Sequence, residues 1–464
     1  MGLVRQLSWL DGVSLVVGSI VGSGVFASSG VVARHTGSTG ASLGIWAVAG
    51  GLALMGAMCY VELGTRFPSA GGEIAYLAEG FESSIWSYAF MWTNVIMTRP
   101  LSMAIVCRIV GEYLVEFVAK SSGGGDGNHT EWAVQLAALL AALSATLLLA
   151  VSTNAATMVL KGTTALKLAA LGMIIGLAFW HTVAGRETGN AGHEISFAGS
   201  STNWLVYPQA LLSCLWAFDG WNSLNYASEE LVGGSMVQII SLSLPGITLL
   251  YLLTNLAYFA VIPLPVVKSS ETIGIDFIRL TAPSMEPLLL LCICLSTFGA
   301  AIGSMFTGSR IVYSAAVAGQ LPMALGKLTS KGAPMVALGF QFALVVGFLL
   351  LGDFEFLVEL FGCVAWLFYF ITVMGLGRIR WRERGLEVEP HGYYRVHWLA
   401  IVLFLVVSLG MVCFSVAAKP GNGLIALLFV SSSLPIWMVW RRYTPPKAAT
   451  TTEEEDGMEL IPEQ

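Results

Sequence analysis

Runs of about 20 apolar residues recur twelve times along this chain, and nothing else in it restricts the possible folds so tightly. A bilayer's hydrocarbon takes roughly 20 helical residues to cross. Inside it every backbone N–H and C=O must find a partner within the protein, which leaves helices or closed barrels. The runs are continuous rather than alternating, so they read as helices. They lie at about 9–35, 41–65, 83–118, 132–152, 157–181, 204–231, 236–263, 285–318, 333–352, 354–377, 396–417 and 422–441. Composition agrees, because 56% of the 464 residues are hydrophobic and 11% are charged, whereas soluble domains carry roughly 25% charged residues. The expectation is an all-α polytopic membrane protein whose length counts spans, not soluble domains.

Two of these spans are interrupted in matching positions. The first is Ile20-Val21-Gly22-Ser23-Gly24-Val25-Phe26 and the sixth is Trp216-Ala217-Phe218-Asp219-Gly220-Trp221-Asn222. Paired broken helices are the sequence signature of a binding site in a transporter built from inverted repeats. Spans one to five, about 9–181, and six to ten, about 204–377, make two five-helix sets. Five is odd, so the second set starts on the opposite side and runs inverted. Spans eleven and twelve, about 396–441, are additional. Residues 1–443 then form one transmembrane domain. Residues 444–464, with the run Glu453-Glu454-Glu455-Asp456, form an acidic tail expected to be solvated and disordered. Most of the 23 Lys and Arg fall on one side if both termini are cytosolic, and Arg378, Arg380, Arg382 and Arg384 contribute most to that bias.

Gly22-Ser23-Gly24 lets the backbone leave helical geometry cheaply and lets a ligand come close. The N–H groups freed there, with the helix dipole, suit a carboxylate. Packing of small residues against another helix is the alternative. In the second break, unwound carbonyls suit an ammonium group. Asp219 is an ionisable residue at membrane depth, hence a functional candidate, either as a counter-charge to a cationic ligand or as a structural carboxylate. Trp216 and Trp221 flank it as a gate, a cation–π surface or ordinary packing. Lys167 interrupts an apolar run. It either occupies the place of a bound sodium ion among free carbonyls, titrates in proton coupling, or snorkels to the inner face. Arg99-Pro100, within span three, reads as structural, with the arginine bonded to backbone. Glu229 and Glu230 read as a gate or loop contact.

Other classes are poorly served. There is no basic, aromatic-interleaved stretch for nucleic acid, no phosphate loop, no HExxH and no Gly-x-Ser-x-Gly. No enzyme role, cofactor or metal is expected. The seven cysteines all lie in apolar runs and read as buried small hydrophobes. Asn128-His129-Thr130 is a glycosylation sequon that follows a Gly-rich linker.

Five segments carry a resemblance: Val21 to Phe26; Tyr60-Val61-Glu62-Leu63-Gly64-Thr65; Gly71-Gly72-Glu73-Ile74-Ala75-Tyr76; Asp219 to Tyr226 with Glu229-Glu230; and Leu252 to Phe259. Together they resemble the L-type amino acid transporters, light-chain subunits of heteromeric amino acid transporters within the amino acid–polyamine–organocation superfamily. The resemblance covers about residues 7–441. It implies a twelve-helix, leucine-transporter-type fold and sodium-independent amino acid exchange by alternating access in the plasma membrane. By position, Ser23 and Gly24 would hold the α-carboxylate. Ile20, Trp216, Ala217 and Asp219 would form the rest of the substrate site, with backbone carbonyls toward the α-amino group. Trp216 would be the gate and Lys167 the stand-in for sodium. Trp216 with Asp219 is most similar to the family's exchanger of cationic and neutral amino acids and cystine, which implies arginine, lysine or ornithine among the substrates. Two departures stand out. Residues 119–131 lack the cysteine that links family members to a heavy-chain glycoprotein, so such a partner would bind without the usual disulfide, if at all. Ala365 stands where some members place Asn. The alternatives are a proton-coupled amino acid or polyamine uptake system and a transport-like amino acid receptor.

Overall fold

A computed structural model describes residues 8–22, 24–68, 72–121, 131–185, 195–231, 235–270, 272–317, 319–329, 333–351, 354–384 and 394–443. Among these, all regular structure is helical. The first run divides into α1 (Trp9–Ile20) and α2 (Gly24–Thr36), bent by 46°. Then come α3 (Thr39–Arg66) and the short α4 (Glu73–Phe81). The third run is α5 (Ser84–Thr93), a π-helical stretch (Asn94–Thr98) and α6 (Arg99–Ser121). Next are α7 (Glu131–Val151), α8 (Thr153–Val183) and α9 (Tyr207–Ala217). A 3-10 segment (Ser223–Glu230) follows α9 across the second break. The chain continues through α10 (Met236–Val261), α11 (Leu264–Ser269), α12 (Ile273–Thr281), α13 (Glu286–Val317), α14 (Met335–Leu351), α15 (Phe354–Arg382), α16 (Trp398–Ala418) and α17 (Pro420–Tyr443).

Eight of the described helices are long and apolar enough to cross a membrane, and the bent pair α1–α2 makes a ninth. The remaining expected spans are interrupted or shorter: α5–α6 by the π stretch, the sixth by its break, and α14 by its 17 residues. The π stretch has a local cause. Pro100 has no N–H to continue the ladder, and the Arg99 N–H reaches back five residues to the Asn94 carbonyl. The Gly-rich linker, the sequon and the acidic tail lie outside the described residues.

The two broken segments meet at the centre. α2 packs on α9, α10 on α3 and α1, and α13 on α6 and α8, while α15 runs beside α16. Lipid is as apolar as a leucine side chain, so close packing rather than water exclusion holds such helices together. Buried aromatic rings fill the middle: Trp46 lies 5.5 Å from Tyr251 and 6.1 Å from Phe218, and Trp221 lies 4.9 Å from Tyr60. Apolar side chains project outward from α16 and α17, as a lipid-facing surface requires.

One end of the bundle is tied by a charge network. Glu62, fully buried on α3, accepts from Arg380 of α15 and from the Val396 N–H ahead of α16 (2.8 Å). Arg66 pairs with Glu62 at 2.9 Å and donates to Glu383 at 2.7 Å. At the opposite end Arg279 reaches Glu116 (3.0 Å) and Glu286 (2.8 Å). Five of the cysteines are buried as expected, but Cys292 is half-buried and Cys413 is exposed on α16.

Candidate functional site

Each break follows from its glycines. A Cβ at Gly24 would stand 2.6 Å from the Ala217 Cα, so only glycine lets α2 approach the end of α9 so closely. Gly220 has φ +102°, a left-handed conformation that favours glycine, and it turns the chain out of α9 toward the 3-10 segment. A Cβ at Gly22 would meet nothing nearer than the Ile20 carbonyl at 3.8 Å, so the first break has open space beside it. Ser23 lies outside the described residues.

Tyr251 of α10, which sequence reasoning missed, joins the two breaks. Its hydroxyl lies 3.0 Å from the Ile20 carbonyl and 3.1 Å from the Ala217 carbonyl. A phenol has one proton, so it is shared between the last carbonyls of α1 and α9, both orphaned where their helices stop. The structure thus brings Ile20, Gly24 and Ala217 together. Trp216 lies one turn-position away, its own carbonyl taken by the Asp219 N–H at 3.0 Å. Lys167 arrives from α8. It is 1% exposed, and its Nζ donates to the Gly18 carbonyl (3.4 Å) in the last turn of α1. It does not snorkel.

Two lobes of a cavity open beside the breaks. The aromatic lobe is tight, with room for about one water, and lies among Leu212, Leu215, Trp216, Phe361, Ala365 and Trp366. The polar lobe is roomier and is lined by Glu73, Asn94, Arg99, Asn222 and Tyr226. Asp219, Phe361, Ala365 and Tyr369 border both. Asp219 therefore stands at their junction, and its Oδ1 accepts from the Tyr369 hydroxyl at 2.9 Å. Both tryptophans line the aromatic lobe, but they differ in burial: Trp216 is half-buried, whereas Trp221 is 2% exposed and packed between Tyr60 and Tyr369.

The polar lobe corrects one expectation. Arg99 is bonded not to backbone but to the Asn94 side chain (Nε to Oδ1, 3.2 Å), and its guanidinium faces the lobe 5.5 Å from the Tyr226 ring. Glu73, 1% exposed at the start of α4, accepts from Asn222 Nδ2 at 2.7 Å, and its second oxygen has no hydrogen-bond partner. The side chains of Glu229 and Glu230 lie outside the described residues. Ion-bearing groups in a low-dielectric cavity act strongly on a guest. Such a cavity can fix a zwitterionic head at the breaks and read the remainder of the ligand at Asp219.

The model of the amino acid permease family matches residues 7–440. The chain belongs to that family. The permease is 33% identical to the mouse b(0,+)-type amino acid transporter 1 over 448 residues, 95% of this chain and 89% of the relative. It is 28% identical to the human Asc-type amino acid transporter 1, over 95% of this chain and 84% of the relative. The human large neutral amino acids transporter small subunit 2 is 27% identical, over 95% and 81%. These relatives are transporters rather than enzymes. With its apolar helices, the permease is an integral membrane protein of amino acid transport.

Proposed function

We propose that the permease is a sodium-independent exchanger of cationic and neutral L-amino acids, working by alternating access in the plasma membrane with both termini cytosolic. The observation that carries this is the place of Asp219. It is a carboxylate at the junction of both lobes, within the second break and two residues past the Ala217 carbonyl. A cationic side chain entering either lobe meets it, and a neutral side chain finds the aromatic walls of Trp216, Phe361 and Trp366 instead.

Supporting features follow the same division. Ser23 and Gly24 would receive the α-carboxylate, with Ile20, Trp216, Ala217 and Asp219 on the α-amino side. The Ile20 and Ala217 carbonyls, now bridged by Tyr251, are acceptors an ammonium group could share. Trp216 would close over the substrate. Lys167 would supply, from its place against the Gly18 carbonyl, the fixed positive charge that replaces sodium. α1–α8 and α9–α15 would form the inverted five-helix repeats, with α16 and α17 additional, twelve spans in all. The likeness to b(0,+)-type and Asc-type transporters favours amino acids over polyamines, which lack the carboxylate.

The test is transport by the purified protein alone in liposomes loaded with arginine, leucine or no amino acid. Labelled arginine should enter only with amino acid inside and without sodium outside. Uptake into empty vesicles driven by a proton gradient would replace exchange by proton coupling. Leucine uptake without arginine uptake would sink the cationic assignment. Activity without any added subunit would show that no heavy chain is needed for turnover.

A further inference from the structure

A site with one fixed carboxylate favours cations and burdens neutral guests, because the carboxylate's charge then stays uncompensated in a low-dielectric cavity. A site for both classes needs an answer to this, and the cavity contains one. Among the described residues the charged side chains that line the two lobes are Glu73, Asp219 and Arg99. Arg99 is held by one bond to a neutral amide and by Tyr226, and it feels both Asp219 and Glu73. It makes no ion pair with any described carboxylate within 4.0 Å. It shares the polar lobe with both Asp219 and Glu73, and Glu73 keeps one buried oxygen unpartnered.

Building on the exchanger reading, we propose that Arg99 is a tethered counter-cation that sets the permease's balance between neutral and cationic substrates. With a neutral side chain in the cavity, the Arg99 guanidinium compensates Asp219. With a cationic side chain there, the substrate compensates Asp219 and Arg99 turns toward the free oxygen of Glu73. Its anchorage suits such an exchange of partners. The residue follows a π-helical turn, a local widening often found at functional sites, and its long stem keeps the guanidinium within the lobe in either position. One guanidinium between two carboxylates leaves a formal charge of minus one in the empty cavity, which a monocation cancels. Removing Arg99 would leave minus two, a cavity selective for cations.

The experiment compares kcat/KM for arginine and leucine in reconstituted wild type, Arg99→Gln and Arg99→Lys. Arg99→Gln should raise the arginine-to-leucine ratio about five- to tenfold, mostly through loss of leucine transport. Arg99→Lys, which keeps the charge, should restore the ratio toward that of wild type. Equal loss of both substrates in Arg99→Gln, or an unchanged ratio, overturns the proposal and makes Arg99 a structural residue. If Arg99→Gln does not fold, the comparison moves to Glu73→Gln. That change removes the second partner and leaves Arg99 on Asp219, so the arginine-to-leucine ratio should fall, and an unchanged ratio would refute the role. The two readings fail separately. A wild type that transports leucine alone would remove the cationic assignment, yet Arg99→Gln would still be expected to admit arginine.

Discussion

Asp219 and Tyr251 divide the work at the scale of single residues. Asp219 reads the side chain. Asp219→Gly removes the charge from the junction of the lobes, and arginine transport should fall at least tenfold more than leucine transport, as for loss of a charged partner. Equal loss would make the carboxylate structural. Tyr251 serves the head group. Tyr251→Phe keeps the ring against Trp46 and Phe218 but frees both carbonyls from the shared proton. Transport of arginine and leucine should fall together by roughly three- to tenfold, the worth of one neutral hydrogen bond, and a substrate-selective loss would contradict this assignment. Asp219 was legible in the sequence because a carboxylate in an apolar run is conspicuous. Tyr251, Tyr369 and Arg99 were not. A tyrosine in a leucine-rich helix looks like packing, and its partners lie 34 to 231 residues away along the chain. At Arg99-Pro100 the proline points to the backbone, whereas the arginine bonds to the Asn94 side chain and lines the polar lobe.

Among the elements, the packing of α2 on α9 is the close approach that bears on the site. Gly24→Ala places a methyl 2.6 Å from backbone at Ala217, so the two half-helices must part. Gly246 of α10 has nothing within 4 Å of the same atom. Gly24→Ala should abolish most transport, while Gly246→Ala should leave it within about twofold, since exposed Gly-to-Ala changes in helices cost little. Liposome uptake at matched protein content checks the pair. The breaks themselves were readable because glycine marks them. What glycine spacing does not report is how the second half of a break folds, here as 3-10 turns beyond Gly220, or that a proline one residue past Arg99 widens α5–α6 into a π turn. The first outcome depends on which carbonyls neighbouring helices can satisfy, and the second on the N–H that Pro100 lacks.

Across the whole molecule, the charge network around Glu62 joins helices far apart in sequence. Glu62→Gln leaves Arg380 without its buried carboxylate, while Arg66 keeps Glu383, and it should cost about 3–5 kcal/mol, measured as a lowered thermal midpoint of intrinsic fluorescence in detergent. Glu62→Gln with Arg380→Met should cost much less than the two single changes added. Additive losses would mean the pair is not coupled. Orientation is testable at the same scale. In a cysteine-free background, a cysteine at Lys419 should react with a charged maleimide added to intact cells, and one at Arg382 only after permeabilisation. The reverse pattern would place the termini outside. An all-helical membrane protein was legible from hydropathy alone, and eight or nine of the expected spans are long and apolar enough to cross among the described residues. The network was not, because Glu62 and Arg380 each look like a helix-end charge until the fold puts them in contact.

That contact has a mechanical consequence. α15 is bolted at Arg380 and lines the cavity at Phe361, Ala365 and Tyr369. At 1.5 Å of rise per residue, Tyr369 lies about 16 Å and Phe361 about 28 Å along the axis from that bolt. A rigid tilt of about 10° around it would shift Tyr369 by about 3 Å and Phe361 by about 5 Å. The helix is a lever with its fulcrum at one rim of the bundle, and a small rotation there is enough to withdraw the phenol from Asp219 and clear a whole side chain's width at the far end.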